Sequence, residues 1–326
     1  MRGTFGRGIL IAFASLILLG LASLAFVYRP RAEIVVAIDS AFAAIRPGLV
    51  AKAAERHVLG NRLDLILVPE DKAVPTLLQA LATKKLHPRA IAASPLVARA
   101  LVEGAARNNA QPPAPVISLD WSPAPEGGAA SPAASILSDP LPGARKLGSI
   151  LARAVALVAR GSSAASPVSP PAEGGLVWES GPARSDTERE AFAEGWTAEA
   201  GSPPFALDLQ PGQANSDGLL RQTFAMDLRA VFIDAGDFTP MALDLAAGKV
   251  GIIAFASGAA DEVARAWPSA SLALVPDDAA FAAFLRSPAC LALKGRHGIP
   301  SVIRILPAAA ALPGIDLGAL IADGTR

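Results

Sequence analysis

At 326 residues with 52% hydrophobic content, the chain exceeds one average domain and has apolar surface for two cores, which excludes wholesale disorder. Basic and acidic residues number 29 each; four arginines precede Ala32 with no acid beside them, so the rest holds 25 against 29 and has no general pull on nucleic acid. The lone Cys290 cannot form an internal disulfide and reads as a buried small hydrophobe. With only His57, His87 and His297 scattered along the chain, no metal or cofactor is expected.

Residues 9–27 carry no charge, follow Arg2 and Arg7, and would run roughly 28 Å as a helix, close to the hydrocarbon thickness of a bilayer. The stretch reads equally as a membrane anchor or as a cleaved export signal, because Gly20, Ala22, Ser23 and Ala25 offer small residues where a signal peptidase cuts. Either reading puts the body outside the cytoplasm, in the periplasm or an equivalent space.

Beyond Glu33 short apolar runs alternate with amphipathic stretches. The first strand covers 33–38 and ends at Asp39, and a helix follows at 47–57. Strand and helix then repeat at 63–68 and 74–84, at 90–93 and 96–107, and a fourth strand at 115–119 ends at Asp120. Such alternation predicts right-handed crossovers and a mainly parallel sheet covered on both faces. Proline, glycine, serine and alanine dominate 122–134 and 161–175, which read as loop and linker; the helix predicted between them, 142–159, is expected to close the first lobe.

The alternation restarts after the linker. Strands are expected at 175–178, 205–209, 230–233, 250–255, 271–275 and 301–305, and helices at 187–200, 217–225, 239–247, 259–267 and 277–285. The predicted division is an N-terminal anchor or signal at 1–31, a first lobe at 32–160 with 268–296 returning to it, a linker at 161–175, and a second lobe at 176–267 with 297–326.

This order of short motifs resembles the type I periplasmic solute-binding proteins and the sugar-sensing domains of lactose-repressor-like regulators. Pro115-Val-Ile-Ser-Leu-Asp120 resembles their fourth strand with its ligand-facing aspartate, and Ile136-Leu-Ser-Asp139 with Gly143, Leu147 and Leu151 resembles the aspartate-led helix before the first crossover. Gly175-Leu-Val-Trp178, the stretch 184–196, the strand and acidic turn at 227–243, and Ser301-Val-Ile-Arg-Ile305 resemble elements of the second lobe. The resemblance implies an α/β fold of two lobes, each a mainly parallel sheet with helices on both faces, closing on a ligand. No helix-turn-helix precedes the first strand, so it points to a transport or sensor component.

In doubly wound sheets ligands bind beyond the carboxyl ends of the strands. Residues there suited to hydrogen-bonding paired hydroxyls or stacking on a ring are Asp39, Ser40, Phe42, Ser94, Asp120 and Trp121 from the first lobe, and Arg184, Arg189, Asp234 and Asp237 from the second. Asp39 and Ser40 serve equally well as helix caps. The chain lacks a G-x-S-x-G elbow, an H-E-x-x-H helix, a Walker loop and a dinucleotide fingerprint, which argues against an enzyme.

The expected function is an extracytoplasmic protein closing on a small polar solute such as a sugar or nucleoside, serving a membrane permease or sensor. The alternative is a degenerate binding fold that acts as a structural or interaction module. It is suggested by Trp121 standing where the resembled sugar binders carry an arginine, and by the Ala-Pro-rich loops.

Overall fold

The computed structural model describes residues 33–57, 60–120, 131–161, 174–179, 186–209, 230–234, 251–256, 260–266, 268–312 and 315–323. The apolar stretch 9–27 and the helices expected at 217–225 and 239–247 lie outside them. Among the described residues no helix is long and apolar enough to cross a membrane.

The first sheet is six-stranded and wholly parallel. Its strands are β1 (Glu33–Asp39), β2 (Arg62–Val68), β3 (Ala90–Ala93), β4 (Val116–Leu119), β5 (Ala134–Asp139) and β11 (Gly295–Pro300), in the spatial order β11-β5-β4-β3-β1-β2. Side chains alternate across β1 and both faces are covered, as parallel sheets require. Ile34, Val36 and Ile38 meet Phe42, Leu49, Phe281 and Leu285 on one face. Val35 and Ala37 meet Leu77, Val97 and Leu101 on the other. These partners belong to α1 (Ser40–Ile45), α2 (Pro47–Ala54), α3 (Ala73–Thr83), α4 (Pro95–Arg107) and, much later in the chain, α8 (Asp278–Arg286).

The second sheet comprises β6 (Gly174–Glu179), β7 (Phe205–Leu209), β8 (Ala230–Asp234), β9 (Ile252–Ala256), β10 (Leu272–Val275) and β12 (Val302–Ile305), in the order β12-β10-β9-β8-β6-β7. All pairs are parallel except β10 with β12. Between β9 and β10 lies α7 (Ala260–Ala266), and after α8 come α9 (Pro288–Ala292) and, near the end, α10 (Leu317–Asp323).

Two placements differ from the sequence expectation. The helix α5 (Leu141–Gly161) does not close the first lobe: its buried residues, including Leu147, Leu151 and Val155, pack with Phe232, Ala254 and Leu274 of the second sheet and with α6 (Asp186–Ala200). Likewise β10, expected among residues returning to the first lobe, pairs with β9 in the second sheet, and the return is made by α8 and β11. An amphipathic stripe shows that a helix packs, not against which sheet.

The approach of α5 to α6 depends on two glycines. A Cβ on Gly195 would lie 1.8 Å from the Arg145 carbonyl oxygen, and one on Gly148 would lie 2.2 Å from that of Phe192. Behind this contact Phe192 stacks on Phe232 with ring centroids 4.9 Å apart.

Candidate functional site

Three connections join the sheets, and each is short. Pro140 alone separates β5 from α5, Pro276 and Asp277 separate β10 from α8, and Ser301 alone separates β11 from β12. Because β5, β10 and β11 all leave their sheets at the carboxyl end, and β12 enters the second sheet antiparallel, the carboxyl edges of the two sheets face each other. The first and third connections lie side by side, the Ser301 amide donating to the Asp139 carbonyl at 2.8 Å.

At this edge of the first sheet stands a residue that sequence reasoning missed. A residue before proline is kept out of the helical region, so α1 ends at Ile45, Arg46 adopts φ −122° and ψ 55°, and Pro47 opens α2. The Arg46 side chain turns inward and is 2% exposed. Its guanidinium carbon lies 4.5 Å from the Phe281 ring centroid and 5.9 Å from that of Phe42, a cation–π arrangement on two faces.

Arg46 Nε donates to Asp278 Oδ1 at 2.6 Å, and Nη1 donates to Asp120 Oδ2 and, at 3.3 Å, to Ser138 Oγ. Nη2 lies 2.5 Å from Asp278 Oδ1, yet among the described residues it has no hydrogen-bond partner. That contact is therefore coulombic attraction without hydrogen-bond alignment. Burial pushes the Asp278 carboxyl above its ordinary value; Arg46 pulls it down and Asp120 adds repulsion in the upward sense. One guanidinium thus serves two carboxylates, and the group carries a net negative charge when both are ionised.

Asp120, the first residue past β4, sits at φ 52°, a conformation open to aspartate at modest cost. Its Oδ1 accepts from the Ser138 amide at 2.7 Å and from the Ser138 hydroxyl at 2.9 Å, which ties the end of β4 to β5. The side chain remains 22% exposed, so a fixed carboxylate meets solvent at the strand ends. Asp278 approaches α2 equally closely: a Cβ on Gly48 would lie 2.4 Å from its Oδ2.

The other expected residues divide by what they touch. Asp39 is 3% exposed and caps α1, accepting from the Phe42 amide at 2.9 Å, while Ser94 donates its hydroxyl to Asp39 Oδ2 at 2.5 Å. Ser94 is fully buried and Phe42 belongs to the core. Ser40 is exposed and donates to Glu70 Oε1 at 3.1 Å. Asp39, Ser40, Phe42, Ser94 and Asp120 therefore share one sheet edge, with Ser40 and Asp120 reaching solvent.

Arg189 lies in α6 near its start, and Asp234 closes β8 opposite Trp178 of β6. Trp121, Arg184 and Asp237 lie outside the described residues. Among the described residues no group of three acidic, histidine or cysteine side chains is placed to hold a metal.

No family model matches the chain, and no curated protein matches it either. Solved structures do. A transcriptional activator of the comK gene from Bacillus halodurans superposes with a TM-score of 0.57 at 10% identity, over 90% of this chain and 95% of that one. A periplasmic ribose ABC transporter from Conexibacter woesei superposes with a TM-score of 0.51 at 17% identity, over 89% of this chain and 97% of that one.

The fold is that of the type I periplasmic binding proteins. Three short connections join the two lobes, and the Arg46 group touches the second of them through Asp278.

Proposed function

We propose that the chain is an extracytoplasmic binding protein whose two lobes close on a small polar solute such as a sugar or nucleoside, as the solute-binding component of a transporter or sensor. The observation that carries this reading is the facing of two parallel-sheet carboxyl edges across three short connections, with the Asp120 carboxylate oriented at that edge by Arg46 and Ser138. Carboxylates fixed in this way accept hydrogen bonds from paired hydroxyls. The likeness to a periplasmic ribose transporter supports a polyhydroxylated solute.

In this reading the first lobe comprises 33–139 and 278–300, and the second 141–275 and 302–323. Asp120, Ser40 and Trp121 meet the ligand from the first lobe, while Asp39, Ser94 and Phe42 shape the strand ends from within. Arg184, Arg189, Asp234 and Asp237 are the proposed second-lobe contacts. Residues 9–27 seat the chain in the membrane or direct its export.

Thermal melting against pentoses, hexoses, polyols and nucleosides tests the proposal. A ligand at a hundred times its Kd adds about 2.7 kcal/mol, which raises the Tm of a chain of this length by roughly 4 °C. Asp120→Asn should remove most of that rise.

A second reading, a scaffold or interaction module that has lost its ligand, is favoured by one observation: Asp39 and Ser94 are buried against each other, and both Arg46 carboxylate partners are engaged. An unchanged Tm across the whole panel would select it.

A further inference from the structure

The amino edge of the first sheet, opposite the inter-lobe connections, has a different character. Here α2, α3 and α4 end and β2, β3 and β4 begin, and the connecting residues Arg56, Arg62, Lys84, Lys85, Arg89 and Arg107 are all exposed. The acids nearby are Glu55, which pairs with Lys52 at 2.7 Å, Asp64 with Arg62 at 3.1 Å, Glu103 with Arg107 at 3.1 Å, and Glu33. Arg56, Lys84, Lys85 and Arg89 make no ion pair among the described residues. This cationic edge belongs to a body in which acidic residues outnumber basic ones by 29 to 25.

The chain enters this edge from its N-terminal side. Glu33 opens β1, which lies between β2 and β3, and the Arg89 amide donates to the Glu33 carbonyl at 2.8 Å. Only residues 28–32 separate Glu33 from the apolar stretch 9–27, and two of them, Arg29 and Arg31, are cationic. A fully extended chain covers at most about 3.6 Å per residue, so the edge lies within roughly 20 Å of the end of that stretch.

We propose that the amino edge of the first lobe rests on the anionic headgroups of the membrane holding residues 9–27, so that the binding edge and the inter-lobe connections face away from the bilayer. This rests on the proposed membrane-seated form of that stretch. Lysine and arginine near an anionic surface are attracted within a Debye length, and the short tether keeps these groups inside that range. Cations at helix ends also complement the helix macrodipole, so the test must read membrane proximity and not stability.

The buried Cys290 lets an introduced cysteine be labelled selectively. The full chain, labelled with a fluorophore at Ala82→Cys on the amino edge or Ala44→Cys on the binding edge, is placed in vesicles of POPC, alone or with one third POPG, containing headgroup spin-labelled lipid. Quenching at 82 should exceed that at 44. The excess should grow about twofold or more with POPG and shrink in roughly 0.5 M salt and in the variant Lys84→Glu, Lys85→Glu, Arg89→Glu.

Equal quenching at the two positions, or an excess indifferent to POPG and salt, overturns the proposal. Failure of the full chain to float with any vesicle overturns the membrane-seated reading as well. Solute binding, read separately by melting, is untouched by either result.

Discussion

Arg46 and Asp278, 232 residues apart, are joined by a 2.6 Å hydrogen bond that fastens the second inter-lobe connection to the break between the first two helices. Asp278 is the first residue of α8 after that connection, and Arg46 reaches it from beneath the ends of β4 and β5, where it also holds Asp120 and Ser138. One buried cation therefore determines how the start of α8 sits on the first lobe.

Removing that cation leaves two partly buried carboxylates without a counter-charge. Arg46→Met should cost about 3 kcal/mol of stability in urea unfolding, and adding Asp120→Asn and Asp278→Asn should restore part of it. Full stability of Arg46→Met alone would mean that the group contributes nothing to holding the edge.

Acid titration should expose Asp278. Its carboxyl is raised above the ordinary value in the folded chain, so between the unfolded and folded values the native state binds more protons than the unfolded state. The contribution of this site to stability is greatest below the unfolded value, near 3.9, and declines as pH rises through the folded value. Asp278→Asn should remove that component, which appears as a changed slope of unfolding free energy against pH in the acid range.

The two glycines between α5 and α6 admit no side chain. Gly195→Ala should destabilise by about 3 kcal/mol through overpacking, because the intruding atom meets backbone. Gly104→Ala in α4 has nothing within 4 Å and should stabilise by roughly 0.5–1 kcal/mol. Chemical denaturation of both variants reads the contrast.

Burial raises the Cys290 thiol to about 11, so at pH 8 it stays protonated and out of reach. Reaction with a disulfide reagent should be negligible in the native chain and complete in denaturant.

Strongly patterned elements were legible in the sequence. The strand at 90–93 and the strand at 205–209 have the bounds expected of them, and β1 differs by one residue. Two strands of the first sheet carried no such signal. β11 reads Gly295-Arg-His-Gly-Ile-Pro300, with two glycines and a proline, and is held by its parallel register with β5 and not by propensity. β5 follows an Ala-Pro-rich stretch and ends in Ser138 and Asp139, where the family resemblance suggested the start of a helix.

At the candidate site, strand-end position singles out Asp120 and Ser40, which reach solvent at that edge, together with Asp39 and Ser94, whose polar atoms satisfy each other. Arg46 was missed because it ends no strand. Its only local sign is the proline that follows a short run of small residues and forces a helix break.

The wedge of Phe281 and Leu285 into the core begun by Ile34 sets an order of completion. A ribosome must translate some 250 residues beyond β1 before α8 can fill that core and β11 can seal the sheet margin, so the lobe begun first is completed only after most of the second has been made. Meanwhile the nascent polypeptide has an unfilled gap where two aromatic and aliphatic plugs belong. Such distant pairing slows folding, because the first core waits for a segment from the far end of the chain.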